Sequence, residues 1–104
     1  MADGRDVVAA LINQLSENKG KIIGVFPTGQ EALDKIVEGF TMVQKKFFLK
    51  TQGGTDSAKD CVALFNELMT AIDAGGDVQA KFEEFAGPAN TLITTAAKWV
   101  IRMT

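Results

Sequence analysis

The chain has no histidine and no tyrosine, and only one cysteine and two prolines among its 104 residues. Without histidine it lacks the commonest general base, the commonest transition-metal ligand and the usual switch near neutral pH. Nucleophilic and metal-hydrolase chemistries built on histidine cannot be assembled from these side chains. The single thiol, Cys61, can form no disulfide within the chain. It falls among apolar residues at helical spacing, which reads as a buried structural cysteine. A reactive thiol would need cations around it, and only Lys59 is close in sequence. Apolar runs are too short for a membrane-spanning helix of about 20 residues. There is no basic excess either: 11 basic and 13 acidic side chains give a formal charge of −2, against a general nucleic-acid binder. The start, Met1-Ala2-Asp3-Gly4-Arg5-Asp6, has neither the basic nor the apolar part of a secretory signal. The expected setting is reducing and cytoplasmic.

What is present reads as one globular domain over 1–104. The composition is 46% hydrophobic and 23% charged, ordinary for a folded chain and too apolar for a disordered one. Thr104 falls inside a helical pattern with no glycine after it. That ending suits the N-terminal domain of a longer protein as well as a short chain whose last helix frays.

Three breaks punctuate the chain. Thr28-x-x-Glu31 after Pro27 has the form of a capping box. Gly53-Gly54 and Gly75-Gly76 are each followed by a good N-cap, Thr55 and Asp77. The four segments between them carry apolar stripes with steps of three and four. The first runs through Val8, Leu11, Leu15, Ile22 and Phe26, and predicts one helix across Gly20 and Gly24. The competing reading ends that helix near Gly20 and lays residues 22–26 down as an extended cover. The second stripe is Leu33, Ile36, Phe40, Val43 and Phe47, and the third is Ala58, Cys61, Phe65, Leu68 and Ile72. The fourth, from Val78 through Phe85 and Leu92 to Val100 and Met103, keeps its phase across Pro88, so a kinked helix is expected there. Four such helices joined by short connections predict an all-α, antiparallel up-down-up-down four-helix bundle.

Catalytic and metal constellations are missing from the pattern. The carboxylates lie between apolar positions and so point outward. Di-iron bundles need Glu-x-x-His pairs, and Asp73 to Asp77 lacks the alternating oxygen ligands of a calcium loop. No enzyme, cofactor or metal is therefore expected. Gly53-Gly54-Thr55 opens a helix but has no P-loop lysine.

The distinctive stretch is Lys45-Lys46-Phe47-Phe48-Leu49-Lys50. If the second helix continues through it, the lysines complement the helix C-terminus and Phe47 joins the core. Met42 and Leu49 then stand opposite the stripe, in water, with Phe48 at its edge. Trp99 and Ile101 lie beside or off the last stripe. The candidate contact residues are thus Met42, Lys45, Lys46, Phe48, Leu49, Lys50, Trp99 and Ile101. The expected function is a non-catalytic helical interaction or assembly module, binding a protein partner or itself through this apolar-basic surface. Two alternatives are a bundle that binds anionic lipid through Lys45–Lys50 and a carrier of a small apolar ligand in the bundle core. No nucleic-acid partner is expected.

Overall fold

The computed structural model of the protein describes residues 3–99. Four α-helices account for most of them: α1 (Gly4–Val25), α2 (Gln30–Val43), α3 (Gln52–Ala74) and α4 (Val78–Lys98). Two 3₁₀ turns, η1 (Pro27–Gly29) and η2 (Phe47–Lys50), sit in the connections. No strand occurs among the described residues. The expected all-α four-helix bundle is the fold.

α1 passes through Gly20 and Gly24 without a break, so residues 22–25 are helical and the extended cover is not formed. Both glycines face open space, and the continuous stripe, with Ile22 fully buried, holds the helix together past them. At its start Asp3 is the N-cap, accepting from the Arg5 N–H at 2.9 Å. The Arg5 guanidinium donates to the same carboxylate at 2.9 Å. These bonds, side chain first, hold the Asp3 carboxyl below its ordinary pKa.

Two of the expected helix starts are different in the structure. The Thr28/Glu31 capping box does not form, and α2 has no side-chain cap. The 3₁₀ turn at Pro27 feeds directly into α2, and the Phe26 ring lies so close over Gly29 that a Cβ there would come within 2.6 Å of it. α3 starts at Gln52, with Thr51 as N-cap accepting from the Gly54 N–H at 3.0 Å. Thr55, expected as the cap, lies in the first turn. The other boundaries follow expectation. Gly75 ends α3 at φ 72°, the Gly76 N–H reaching back to the Ala71 carbonyl at 2.8 Å. Asp77 caps α4 through the Ala80 N–H at 3.0 Å. α4 then runs unbroken through Pro88.

The largest departure is at the end of α2. The helix stops at Val43 and does not carry the stripe on to Phe47. Had it continued, Leu49 would stand in water. Leaving the helix at 44–46 and recoiling as η2 turns Leu49 inward to complete burial, while Phe47 becomes 38% exposed. Leu49 is therefore a core residue and not the contact residue its helical phase suggested. With α2 ended at Val43, the lysines also no longer cap a helix C-terminus.

Cross-helix contacts set the arrangement. Lys19 of α1 meets Asp34 of α2 at 2.7 Å across the first hairpin. Lys81 of α4 meets Glu67 of α3 at 3.2 Å across the second. Between the hairpins, the start of α1 touches the start of α3 through Gly4 and Thr55, and their far ends join through Lys21 and Asp73 at 2.6 Å. These two helices are therefore parallel. Phe26, leading into α2, packs on Phe82 near the start of α4, and Gly39 lies against Ile93, so α2 and α4 are parallel as well. The principal helix pairs are α1–α2, α2–α4, α4–α3 and α3–α1. The chain alternates direction, but two of its four lateral interfaces are parallel, because the connection 44–51 is long enough to cross the diagonal. That crossing lays η2 over the end of the bundle where α1 and α3 begin and α4 finishes.

Candidate docking surface at the connection end

The crossing connection is fixed from beneath before it presents anything to solvent. Leu49 fills the space under it, fully buried. Thr55, 8% exposed, joins three segments through one hydroxyl: it accepts from the Gly4 N–H at 3.0 Å and donates to the Leu49 carbonyl at 3.3 Å. Gly4 and Gly54 allow the backbones to close on one another. A Cβ on Gly4 would lie 2.5 Å from the Leu49 oxygen. One on Gly54 would lie 2.7 Å from the Phe48 carbonyl carbon and closer still to its oxygen. Gly53 has nothing within 4 Å.

These distances make neighbouring glycines respond in opposite directions. Gly54→Ala drives a methyl into backbone that cannot rotate away, and is expected to destabilise by about 1–3 kcal/mol. Gly53→Ala adds the same methyl to open helix and is expected to stabilise by up to about 1 kcal/mol. Urea unfolding followed by circular dichroism measures both. Equal effects from the two would contradict the close approach of η2 to α3.

On this base sits an aromatic cluster. The Phe47 ring stacks on Trp99 with centroids 5.7 Å apart and planes 16° from parallel. Phe48 meets the same indole with centroids 5.8 Å apart in a tilted arrangement. The Lys50 ammonium lies 5.3 Å from the Phe47 centroid, within range of a cation–π contact. Phe47 and Trp99 remain 38% and 44% exposed, and Met42, near the end of α2, is 73% exposed. Phe48 is half-buried and turns into a groove between α3 and α4 of about 480 Å³, shared with Ser57, Asp60, Pro88, Thr91 and Thr95.

The charges are unevenly partnered. Lys19, Lys21, Lys35 and Lys81 each sit within 4 Å of a carboxylate. Lys81 is held by Glu67 and Glu84 together, which raise its pKa. Among the described residues, Lys45, Lys46, Lys50, Lys59 and Lys98 form no ion pair. All but Lys59, two turns into α3, lie in the connection or at the end of α4.

The structure thus brings Met42, Lys45, Lys46, Phe48, Lys50 and Trp99 to one end of the bundle. It withdraws Leu49 from the candidates, and Ile101 lies outside the described residues. Phe47, assigned to the core by its phase, joins the surface. In the sequence Gly54 and Thr55 read only as a helix break and its cap, and no periodic signal marks a hydroxyl shared between distant segments.

Chemically, this end offers apolar area and cations. Cys61 is fully buried, and burial, with a smaller push from the Asp60 charge, raises its thiol to about 11, so it stays protonated at neutral pH. Among the described residues no cluster of three or more acidic, cysteine or histidine side chains is placed to hold a metal ion, and no helix is long and apolar enough to cross a membrane. Comparison of the chain with protein-family models, with curated proteins and with solved structures gave no match.

Proposed function

We propose that the protein is a non-catalytic helical docking module whose contact surface is the connection end of the bundle. The observation that supports this most is the coincidence of the stacked, part-exposed Phe47–Trp99 pair with lysines that have no carboxylate partner among the described residues. Large apolar side chains exposed one at a time are ordinary on folded proteins. Aromatic side chains clustered on a rigid, internally braced turn and fringed by cations have the make-up of an interface anchor.

Val25, 52% exposed near the opposite end of α1, is an internal control. In extracts that retain membranes, the bound fraction of Met42→Ser/Phe47→Ser is expected to fall at least tenfold relative to the parent chain. Val25→Ser is expected to leave it unchanged. Gradient fractionation of tagged chains gives the answer. A bound fraction indifferent to Met42 and Phe47, or equally sensitive to Val25, would remove this end as the contact surface.

A further inference from the structure

We infer that the occupant of the connection end is the surface of an anionic lipid bilayer, an identification that rests on the docking reading above. Position is the first argument. The aromatic pair stands, part-exposed, where η2 lies over the end of the bundle and α4 finishes. A folded partner would have to supply a matching pocket, whereas the headgroup region of a bilayer moulds itself around such an end. Tryptophan and its aromatic neighbours also favour that region, with the ring in partly apolar surroundings and the indole N–H still hydrated.

Charge is the second argument. The Lys50 ammonium lies over the Phe47 ring, Lys45 and Lys46 precede that ring in the chain and Lys98 precedes Trp99, and none of the four has a carboxylate partner among the described residues. Their long stems can follow the rings inward while the ammonium groups stay at phosphate level. One carboxylate at this end is neutralised internally, Asp3 by Arg5, while Asp56 accepts from the neutral Gln52 amide at 2.8 Å and keeps its charge. Asp6, in the first turn of α1, Glu38, in the second half of α2, Asp56 and Asp60, two turns into α3, stand against Lys45, Lys46, Lys50, Lys59 and Lys98, which leaves one cation in excess. Glu31, Asp34, Glu67, Asp73, Glu83 and Glu84 lie toward the opposite end, where the helices of each hairpin are joined. A chain of net charge −2 can therefore approach a negative surface with only this end leading.

Backbone satisfaction is the third. A turn pressed into a poorly hydrated layer must carry its own hydrogen bonds. Within and beside η2, the Leu49 N–H donates to the Lys46 carbonyl and the Thr51 N–H to the Phe48 carbonyl, each at 3.1 Å. The Thr51 hydroxyl donates to the same Phe48 carbonyl at 2.6 Å, and the Leu49 carbonyl accepts from Thr55.

The test uses the purified full chain and phosphatidylcholine vesicles with and without phosphatidylserine. Trp99 is the only tryptophan, so its emission reports on this end alone. Co-sedimentation and a blue shift of Trp99 are expected only with the serine lipid, and both are expected to fade as salt is raised to 1 M. Each lysine near such a surface strengthens binding about fivefold. Lys45→Ala/Lys46→Ala/Lys50→Ala should therefore weaken partitioning on the order of a hundredfold while leaving the helical circular-dichroism spectrum intact. Equal binding to both vesicle types, no binding to either, or unchanged binding by the triple variant would each overturn the lipid assignment. The salt series on the unmodified chain reads the same charge dependence without any variant, and binding that persists undiminished at 1 M salt would also overturn it. If vesicles fail while Phe47-dependent fractionation from extracts persists, docking stands with a protein as the partner. If both fail, the docking reading falls too.

Discussion

Phe65→Ala is expected to remove about 3–5 kcal/mol of folding stability. Phe65 is 2% exposed and lies on the α3 face that packs against α4, its ring edge-on to Phe85 with centroids 6.0 Å apart. Truncation removes that edge-to-face contact and the transfer energy of the ring, and opens a cavity whose walls belong to two long helices. Those helices are tied by Lys81–Glu67 on one side of the site and by the Gly75–Asp77 turn beyond it, so collapse into the void is limited. Domains of this size are commonly stable by only about 5–15 kcal/mol, so the variant stands near its unfolding threshold at room temperature. Urea denaturation, followed through Trp99 and helical circular dichroism together, measures the loss. Phe47→Ala is the companion, with an expected loss below about 1 kcal/mol, because its ring is part-exposed and the indole it stacks on is itself at the surface. Similar losses from the two would mean that the second stripe continues to Phe47 after all. A loss under about 1 kcal/mol at Phe65 would mean that the α3–α4 interface is not the core.

The contrast between these two phenylalanines shows what helical spacing reveals and where it stops. Period alone places Val8, Leu11, Leu15, Leu33, Ile36, Phe40, Phe65, Leu68, Phe85 and Leu92 on inward stripes, and all are buried. The glycine doublet at 75–76 and Asp77 likewise mark a real turn. Period gives the phase of a helix, though, and says nothing of its length when a better burial lies just beyond the end. At 44–46 the local preference for helix competes with the gain from turning Leu49 inward, and tertiary burial wins. Leu49 and Phe47 exchange places as a direct result. The lateral order of the helices is hidden for a related reason. Short connections specify hairpins, but the connection 44–51 can cross a diagonal, and that choice depends on Gly4, Gly54 and Thr55 fitting against η2. Of the candidate surface, the lysines, Met42 and Trp99 are legible as residues without partners on a stripe. The stacking of Phe47 on Trp99 is not, because it joins segments that only the folded chain brings together.

Pro88→Ala is the counterpart in the other direction, with stabilisation of about 2–3 kcal/mol expected. α4 is continuous from Val78 to Lys98 with Pro88 inside it, so the proline sits where it can donate no hydrogen bond to the Glu84 carbonyl and where its ring crowds the preceding turn. Proline in a helix interior costs about 3 kcal/mol relative to alanine. The helix tolerates it for two reasons visible in the sequence and the fold. Gly87 precedes it, and without a Cβ that residue escapes much of the clash that normally keeps the residue before proline out of helical geometry. The deprived turn also faces outward, since Glu84, Gly87 and Pro88 are all exposed and water can satisfy the free carbonyl. Phe85, Ala89 and Leu92 meanwhile remain buried on the other face, and their packing carries the helix past the defect. Alanine restores the missing bond and relieves the crowding without touching that packed face. For a domain of about this size, 1 kcal/mol corresponds to roughly 4–8 °C in Tm, so a rise of about 8–20 °C is the expected result in a thermal melt. A fall in Tm would show that the ring contributes packing in the groove it shares with Phe48, Ser57 and Thr91 that outweighs the backbone gain. It would also make Pro88 a structural support of the aromatic end, because Phe48 links that groove to Trp99.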